Sequence, residues 1–186
     1  MRAVALVLLL AACAVCGTAR AEIEKFADAS CKQGLCLYWW PRLPPLEGWH
    51  QEQEAGRRNA SNILAPTGYN FTTAETIMYA RATFKNRMPE AKSLEAFIAK
   101  DKADTLQALP GTIAADAPAL RNGDGKTLRT LTYYPAPSVR GSWERLAYDE
   151  EGDFYLILAI SSHSRKGLDD SMKEFEHLIA AYKAHP

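Results

Sequence analysis

The segment Phe154–Ile160 most constrains the fold, because it is apolar on both faces of an extended chain. Its sequence, Phe-Tyr-Leu-Ile-Leu-Ala-Ile, carries no charged residue on either face. A strand of this kind lies in the middle of a sheet, with other elements packed on each side. The sequence therefore predicts a sheet whose two faces are both covered.

Alternating or apolar segments predict further strands around this central one. The predicted strands are residues 37–40, 49–54, 59–64 (weakly extended), 76–84, 127–134, 143–148 and 154–162. The last two form a hairpin through Glu150-Glu151-Gly152. Two segments stay ambiguous, because residues 22–30 are typical of one helical turn or a loop and residues 112–120 are alanine-rich.

Two helices are predicted by periodicity and capping signals. Ser93 is a good N-cap for a helix from Leu94 to about Leu109, which Pro110-Gly111 ends. A closing helix has one apolar face and a capping-box pattern at Ser171 and Glu174. That apolar face consists of Leu168, Met172, Phe175, Ile179 and Tyr182.

Together these elements predict an α+β fold. We expect a largely antiparallel sheet of about 5–7 strands with helices packed on its faces, an α/β/α sandwich. Residues 22–186 contain no repeat or low-complexity linker, so they are predicted to form a single domain.

Residues 1–21 have the pattern of an export signal. A basic start is followed by an apolar stretch and by Ala19-Arg20-Ala21, which fits cleavage after Ala21. The alternative is a lipobox, Leu10-Ala11-Ala12-Cys13, with lipidation of Cys13. That reading leaves an odd number of thiols in an oxidising compartment. We therefore expect a periplasmic or secreted protein, with a lipid-anchored envelope protein as the alternative.

Cleavage after Ala21 leaves Cys31 and Cys36 as the remaining cysteines. At this spacing in an exported protein, a local disulfide is the favoured interpretation. A redox site would need a motif such as C-x-x-C, and no nearby histidine completes a zinc set. We expect no metal site and no cofactor, since a glycine-rich phosphate loop is also absent from the sequence.

The stretch from Cys36 to His50 contains three of the four tryptophans of the chain. We interpret it as an aromatic strand, a proline-rich turn and a second strand. Tyr38, Trp39, Trp40 and Trp49 are the candidate binding residues. Adjacent Trp39 and Trp40 must face opposite sides of a strand, so either both are buried in a two-sided sandwich or one faces a partner.

Charge argues against nucleic acid as a partner. The chain has 22 basic and 22 acidic residues, and loss of Arg2 and Arg20 with the signal leaves 20 against 22, which gives no basic field for phosphates. Beyond the signal, the sequence contains no run of about 18 apolar residues, so no membrane span is predicted.

His163 is the candidate for an enzymatic alternative, because it lies in Ser161-Ser162-His163-Ser164 at the end of the central strand. Adjacent strand residues point to opposite faces, and the sequence has no G-x-S-x-G element. His50, His177 and His185 are scattered. Asn122-Gly-Asp-Gly-Lys126 is typical of a turn, with an ion-binding loop as the alternative.

The order of these elements, with Pro44-Pro45-Leu46-Glu47-Gly48-Trp49 and the closing apolar strand and amphipathic helix, resembles the PsbP-like α/β/α sandwich over roughly residues 36–184. The resemblance implies a binding or accessory role more than an enzymatic one, and it carries over no functional residue. We expect an exported, non-enzymatic protein that binds another protein or a cell-envelope component. The alternative is a small periplasmic hydrolase or ligand-binding enzyme near His163.

Overall fold

The computed structural model describes residues 23–31 and 34–184, and for residues 28–31 it describes the backbone alone. The predicted signal segment, including Cys13, lies outside the described residues, as does His185. The strands are β1 Ile23–Cys31, β2 Gly34–Pro41, β3 Trp49–Gln51, β4 Asn62–Pro66, β5 Thr76–Phe84, β6 Thr112–Arg121, β7 Thr127–Pro135, β8 Trp143–Glu151 and β9 Phe154–Ser162. The helices are α1 Gln53–Asn59, α2 Leu94–Ala108 and α3 Arg165–Ala181.

All nine strands of the described residues belong to one sheet with antiparallel pairings. Its main path is β1-β2-β5-β9-β8-β7-β6, while β4 also pairs with β5 and carries β3 on its other side. The α+β class is therefore confirmed, and the expected number of five to seven strands is wrong. The two extra strands are β1 and β6, whose own sequences are ambiguous but which pair along most of their length with β2 and β7.

β9 lies inside the sheet between β5 and β8, as its apolar sequence predicts. Its alternate side chains enter two separate cores. Leu156, Leu158 and Ile160 pack with α3, whereas Tyr155, Ile157 and Ala159 pack with α2. The helices α2 and α3 thus cover opposite faces of the sheet.

The start of α3 differs from the prediction. Ser164, which follows β9 in extended conformation, is the N-cap, and its Oγ accepts a hydrogen bond from the Gly167 N–H at 3.0 Å. The predicted capping box at Ser171 is wrong, because Ser171 lies inside the helix. The prediction for α2 is confirmed, since Ser93 Oγ accepts from the Ala96 N–H at 3.2 Å.

α1 lies where the sequence predicts a strand up to residue 54 and an extended segment from residue 59. The acid Glu54 in its first turn and Arg57 and Arg58 in its last complement the helix dipole. At Gly56 a Cβ would lie 2.7 Å from the Ser61 carbonyl oxygen, so glycine permits the turn from α1 into β4. None of the helices in the described part of the chain is long and apolar enough to cross a membrane.

Candidate functional site

The segment between β2 and β3 forms a loop over one end of the sheet. β2 ends at Pro41 and β3 begins at Trp49, so the predicted strand-to-strand connection is confirmed. Gly48 has a φ of +77°, a conformation that favours glycine. The Trp49 N–H donates to the Leu46 carbonyl at 3.1 Å, and the Gly48 carbonyl accepts from the Thr67 N–H at 2.7 Å. The loop is therefore fixed at its β3 end.

A cavity of about 460 Å³ lies between this loop, strands β3 and β4, and the end of α3. We call it the loop cavity. Its apolar walls come from Leu43, Pro44, Pro45, Leu46, Trp49, Leu64 and Ala181, and its polar lining comes from Glu24, Arg42, His50, Gln51, Asn62 and Lys183. The volume is within the range of sites for small molecules.

The charged residues Glu24 and Arg42 of the lining pair with each other, and His50 pairs with Glu52 outside the lining. Glu24 Oε1 accepts hydrogen bonds from Arg42 Nε at 2.8 Å and Nη2 at 2.6 Å, and Glu24 Oε2 accepts from Trp40 Nε1 at 3.2 Å. His50 Nε2 lies 2.9 Å from Glu52 Oε1. Neither Arg42 nor His50 therefore presents an uncompensated charge to the cavity.

Asn62 joins the strands at the base of the loop cavity. It is 3% exposed, its Nδ2 donates to the Pro41 carbonyl at 3.0 Å, and its Oδ1 accepts from Gln51 Nε2 at 2.9 Å. These bonds connect the end of β2 to β3 and β4, so the cavity has a fixed floor.

Lys183 differs from the other charged residues of the lining. It follows α3, is half-buried, and its ammonium has no ion-pair partner among the described residues within 4.0 Å. An amine beside apolar walls can hold the anionic group of a ligand whose remainder is apolar.

The adjacent tryptophans face opposite sides of the sheet, and both are covered. Trp40 is 8% exposed and stacks on Phe26 with ring centroids 5.1 Å apart. Trp39 is half-buried, packs 5.7 Å from the Phe84 ring, and is covered by the Arg87 guanidinium at 4.5 Å. This geometry is closer to the alternative in which both tryptophans pack within a two-sided sandwich than to the one in which one of them faces a partner.

Of the four predicted binding residues, the structure places only Trp49 in the wall of the loop cavity. Tyr38 and Trp39 lie beside a smaller cavity of about 220 Å³. Sequence reasoning missed Asn62 and Lys183, because they come from segments far from the aromatic stretch. The position of Lys183, directly after Tyr182 at the end of the predicted apolar face of α3, is the sequence signal that could have found one of them.

Cys31 and Cys36 lie on neighbouring antiparallel strands, where Cys36 pairs with Asp28 and Cys31 with Gly34. The side chain of Cys31 lies outside the described residues, so the disulfide stays a prediction.

A further cavity, of about 380 Å³, lies at the end of β9 beside His163. Its polar lining includes Glu75 and Ser161. The Ser161 Oγ donates to Glu144 Oε1 at 2.7 Å, and the Ser162 Oγ donates to the Glu75 carbonyl at 3.2 Å. The exposed His163 ring has no hydrogen-bond partner among the described residues, so neither serine is paired with a base in the arrangement that a nucleophile requires.

Glu144, which accepts the Ser161 hydrogen bond, is a half-buried acid of β8. Burial raises the pKa of its carboxyl, and the Ser161 hydroxyl and the Arg81 charge oppose that rise. The Glu144 carboxylate is therefore the acceptor of the Ser161 hydroxyl.

The turn at Asn122 uses its own oxygen atoms. Asn122 Oδ1 accepts hydrogen bonds from the Asp124 N–H at 3.1 Å and the Lys126 N–H at 2.9 Å. This geometry supports the turn over the ion-binding loop. No group of three or more histidine, cysteine or acidic side chains within residues 23–31 and 34–184 is arranged to hold a metal ion.

No family model and no curated protein matches this sequence. Among solved structures, the chain is similar to the crystal structure of PA94 from Pseudomonas aeruginosa, a protein of unknown function and suggested regulator. The TM-score is 0.52 at 10% sequence identity, and the match covers 90% of this chain and 99% of that chain. A likeness at this level shows that the two chains share a fold, and it shows nothing further.

Proposed function

We propose that this chain is an exported, non-enzymatic binding protein whose ligand occupies the loop cavity. The observation that carries the proposal is the contrast within the cavity lining. Leu43, Pro44 and Trp49 give an apolar wall, while Lys183 offers the one charge in that lining with no partner among the described residues.

Export is proposed from the sequence of residues 1–21, and periplasmic or secreted localisation follows from it. The PsbP-like resemblance is proposed as well. It is supported by an antiparallel sheet with α2 and α3 on opposite faces. In that fold an accessory or binding role is more common than an enzymatic one.

We infer that the ligand is an envelope component with an apolar body and one anionic group. Apolar surface removed from water contributes about 25 cal/mol per Å², so the wall supplies affinity. The ammonium of Lys183 supplies selectivity for the anion, since a hydrogen bond to a charged group contributes about 1.5–3 kcal/mol.

Calorimetric titration with decanoate, with 1-decanol as the uncharged counterpart, tests this proposal. Decanoate should bind and decanol should bind more weakly. Lys183→Gln should weaken decanoate binding by about tenfold or more, as expected for loss of a charge-assisted bond. Trp49→Ala should weaken both ligands, because it removes apolar wall.

Lys173→Gln is the matched control, because Lys173 is an exposed lysine on α3 away from the loop cavity. Its decanoate affinity should equal that of the unmodified protein. Equal binding of decanoate and decanol, an equal effect of Lys173→Gln, or no binding of decanoate would each overturn the proposed ligand class.

The second candidate is a hydrolase or ligand-binding enzyme at the end of β9. The cavity that joins His163 to Glu75, Ser161 and Ser162 is the observation that favours it. Against it, both serines donate their hydroxyl hydrogens to other acceptors.

His163→Ala is therefore expected to change neither stability nor any hydrolytic activity of the exported protein. The imidazole is exposed and makes no hydrogen bond to the described residues, and exposed substitutions usually alter stability by about 0.5 kcal/mol or less. Assay with a panel of chromogenic esters and phosphoesters measures this. A hydrolytic activity that His163→Ala abolishes would contradict the binding role and favour the enzyme.

A further inference from the structure

We propose that two copies of this chain associate through the first half of β6, which forms one edge of the sheet. β6 pairs with β7 on one side, and no described residue pairs with its other side. The inference does not depend on the loop cavity.

The backbone of β6 offers free hydrogen-bonding groups in alternate positions. The Gly111 carbonyl accepts from the Ala136 N–H at 2.8 Å, and from there the pairs Ile113–Tyr134 and Ala115–Thr132 continue along β7. In an antiparallel ladder the residues between such pairs point their N–H and C=O groups outward. Ala114 and Asp116 therefore present backbone donors and acceptors to the outside.

The edge at β6 and the edge at β1 differ in how they are protected. β1, at the opposite edge, carries the charged residues Glu24, Lys25 and Asp28, as edge strands that resist association commonly do. In β6 the segment Thr112–Ala117 contains one charge, Asp116, which is already paired with Arg129 at 3.1 Å. This half of β6 is free of lysine, proline and bulges.

Exposed apolar residues lie beside the same segment. Leu109, Ile113 and Val139 are three of the five exposed large hydrophobic residues of the described chain, with exposures of 57, 39 and 38%. Val139 lies against Gly111, which stands between Leu109 and Ile113 in the chain, since a Cβ at Gly111 would lie 2.8 Å from Val139 Cγ2. We call Leu109, Ile113 and Val139 the apolar patch, and exposed apolar residues beside an unpaired sheet edge are typical of an interaction surface.

A two-fold pairing centred on Ala114 uses the outward backbone groups of β6 and also covers the exposed apolar residues beside it. It places Ala114 opposite Ala114 of the second copy, Ile113 opposite Ala115, and Thr112 opposite Asp116, so no like charges face each other. The segment Ala117-Pro118-Ala119 of each copy then covers the apolar patch of the other. A shift of one residue in either direction places a proline, Pro110 or Pro118, within the ladder, where it removes a donor.

Sedimentation equilibrium of the protein purified after export tests the association. A reversible dimer is expected, and Ile113→Lys should raise its dissociation constant by about tenfold or more, since a buried charge at an edge opposes pairing. Leu35→Lys is the matched control, because Leu35 is 66% exposed and lies in the hairpin at the opposite edge. Far-UV circular dichroism should show both variants folded.

Cysteine cross-linking tests the register. Ala114→Cys should form an intermolecular disulfide under mild oxidation, because residues in a hydrogen-bonded antiparallel pair have Cα atoms about 5.5 Å apart, which suits a disulfide. Thr112→Cys should cross-link much more slowly, because it faces a different residue. A monomer at all concentrations, an equal effect of Leu35→Lys, or faster linkage through Thr112→Cys would overturn the proposal.

Discussion

Phe175→Ala is expected to lower the free energy of unfolding by about 3–5 kcal/mol, the usual cost of emptying a phenylalanine site in a core. Phe175 lies on the inner face of α3 and is 0% exposed. It belongs to the core that α3 forms with Met78, Leu158 and Ile160. Because these strand residues belong to the central strands β5 and β9, they cannot easily move into the vacated space. Urea denaturation followed by circular dichroism measures the change.

Two control substitutions show whether that loss is a packing effect. Phe175→Leu keeps most of the volume and should cost clearly less than the alanine variant. Leu35→Ala removes an exposed side chain, which is 66% accessible, and should change stability by about 0.5 kcal/mol or less. A loss below about 1 kcal/mol for Phe175→Ala would contradict the packing of α3 on the sheet.

Asp101→Ala is expected to cost about 2–4 kcal/mol, because it leaves the buried Tyr148 hydroxyl and the partly exposed Arg81 guanidinium without their acceptor. Asp101 Oδ1 accepts from Arg81 Nη2 at 2.7 Å, and Oδ2 accepts from the Tyr148 hydroxyl at 2.8 Å. Tyr148 is fully buried, and burial together with the Asp101 charge raises the pKa of its hydroxyl. The hydroxyl therefore stays protonated and needs an acceptor. The cost is below the largest known for buried pairs because the Arg81 side chain is 43% exposed.

Asp104→Ala on the same helix provides the matched comparison. Asp104 pairs with Lys100 at 2.9 Å on the surface, and such pairs contribute about 0.3–0.5 kcal/mol. A double variant that combines Asp101→Ala with Tyr148→Phe should lose less unfolding free energy than the sum of the two single variants, because the donor and the acceptor are removed together. Equal effects of Asp101→Ala and Asp104→Ala in thermal or urea unfolding would show that the buried network adds no stability.

Strong periodicity was sufficient to predict the central elements. β5 and β9 begin and end where their alternating and apolar sequences predict, and α2 begins after Ser93. In these segments local preference and burial favour the same structure.

The missed elements depend on tertiary pairing. β6 is alanine-rich and owes its strand conformation to β7, while β1 owes its conformation to the hairpin with β2. The start of α3 was placed too late because Ser171 and Glu174 match a capping pattern inside the helix, whereas Ser164 has no acid three residues later.

The loop cavity depends on tertiary structure even more than the missed strands do. The aromatic stretch did include a cavity wall, at Trp49, but the cavity also needs Asn62 from β4 and Lys183 from the end of α3. Contacts between segments so far apart in sequence follow from the sheet order, which periodicity does not specify.

Two strands, β2 and β4, pair with different parts of the same side of β5. Trp39 of β2 pairs opposite Ala82, and β4 takes over from Ala80 to Met78, whereas the other edge of β5 pairs with β9 along its whole length. We therefore expect backbone amides between β5 and β9 to exchange with solvent only when the whole domain unfolds. Amides of the β1–β2 hairpin and of β3 can exchange through smaller openings of lower free energy. Trp49 and His50 of the loop cavity belong to β3, so we expect this part of the cavity lining to open more readily than the β5–β9 pairing.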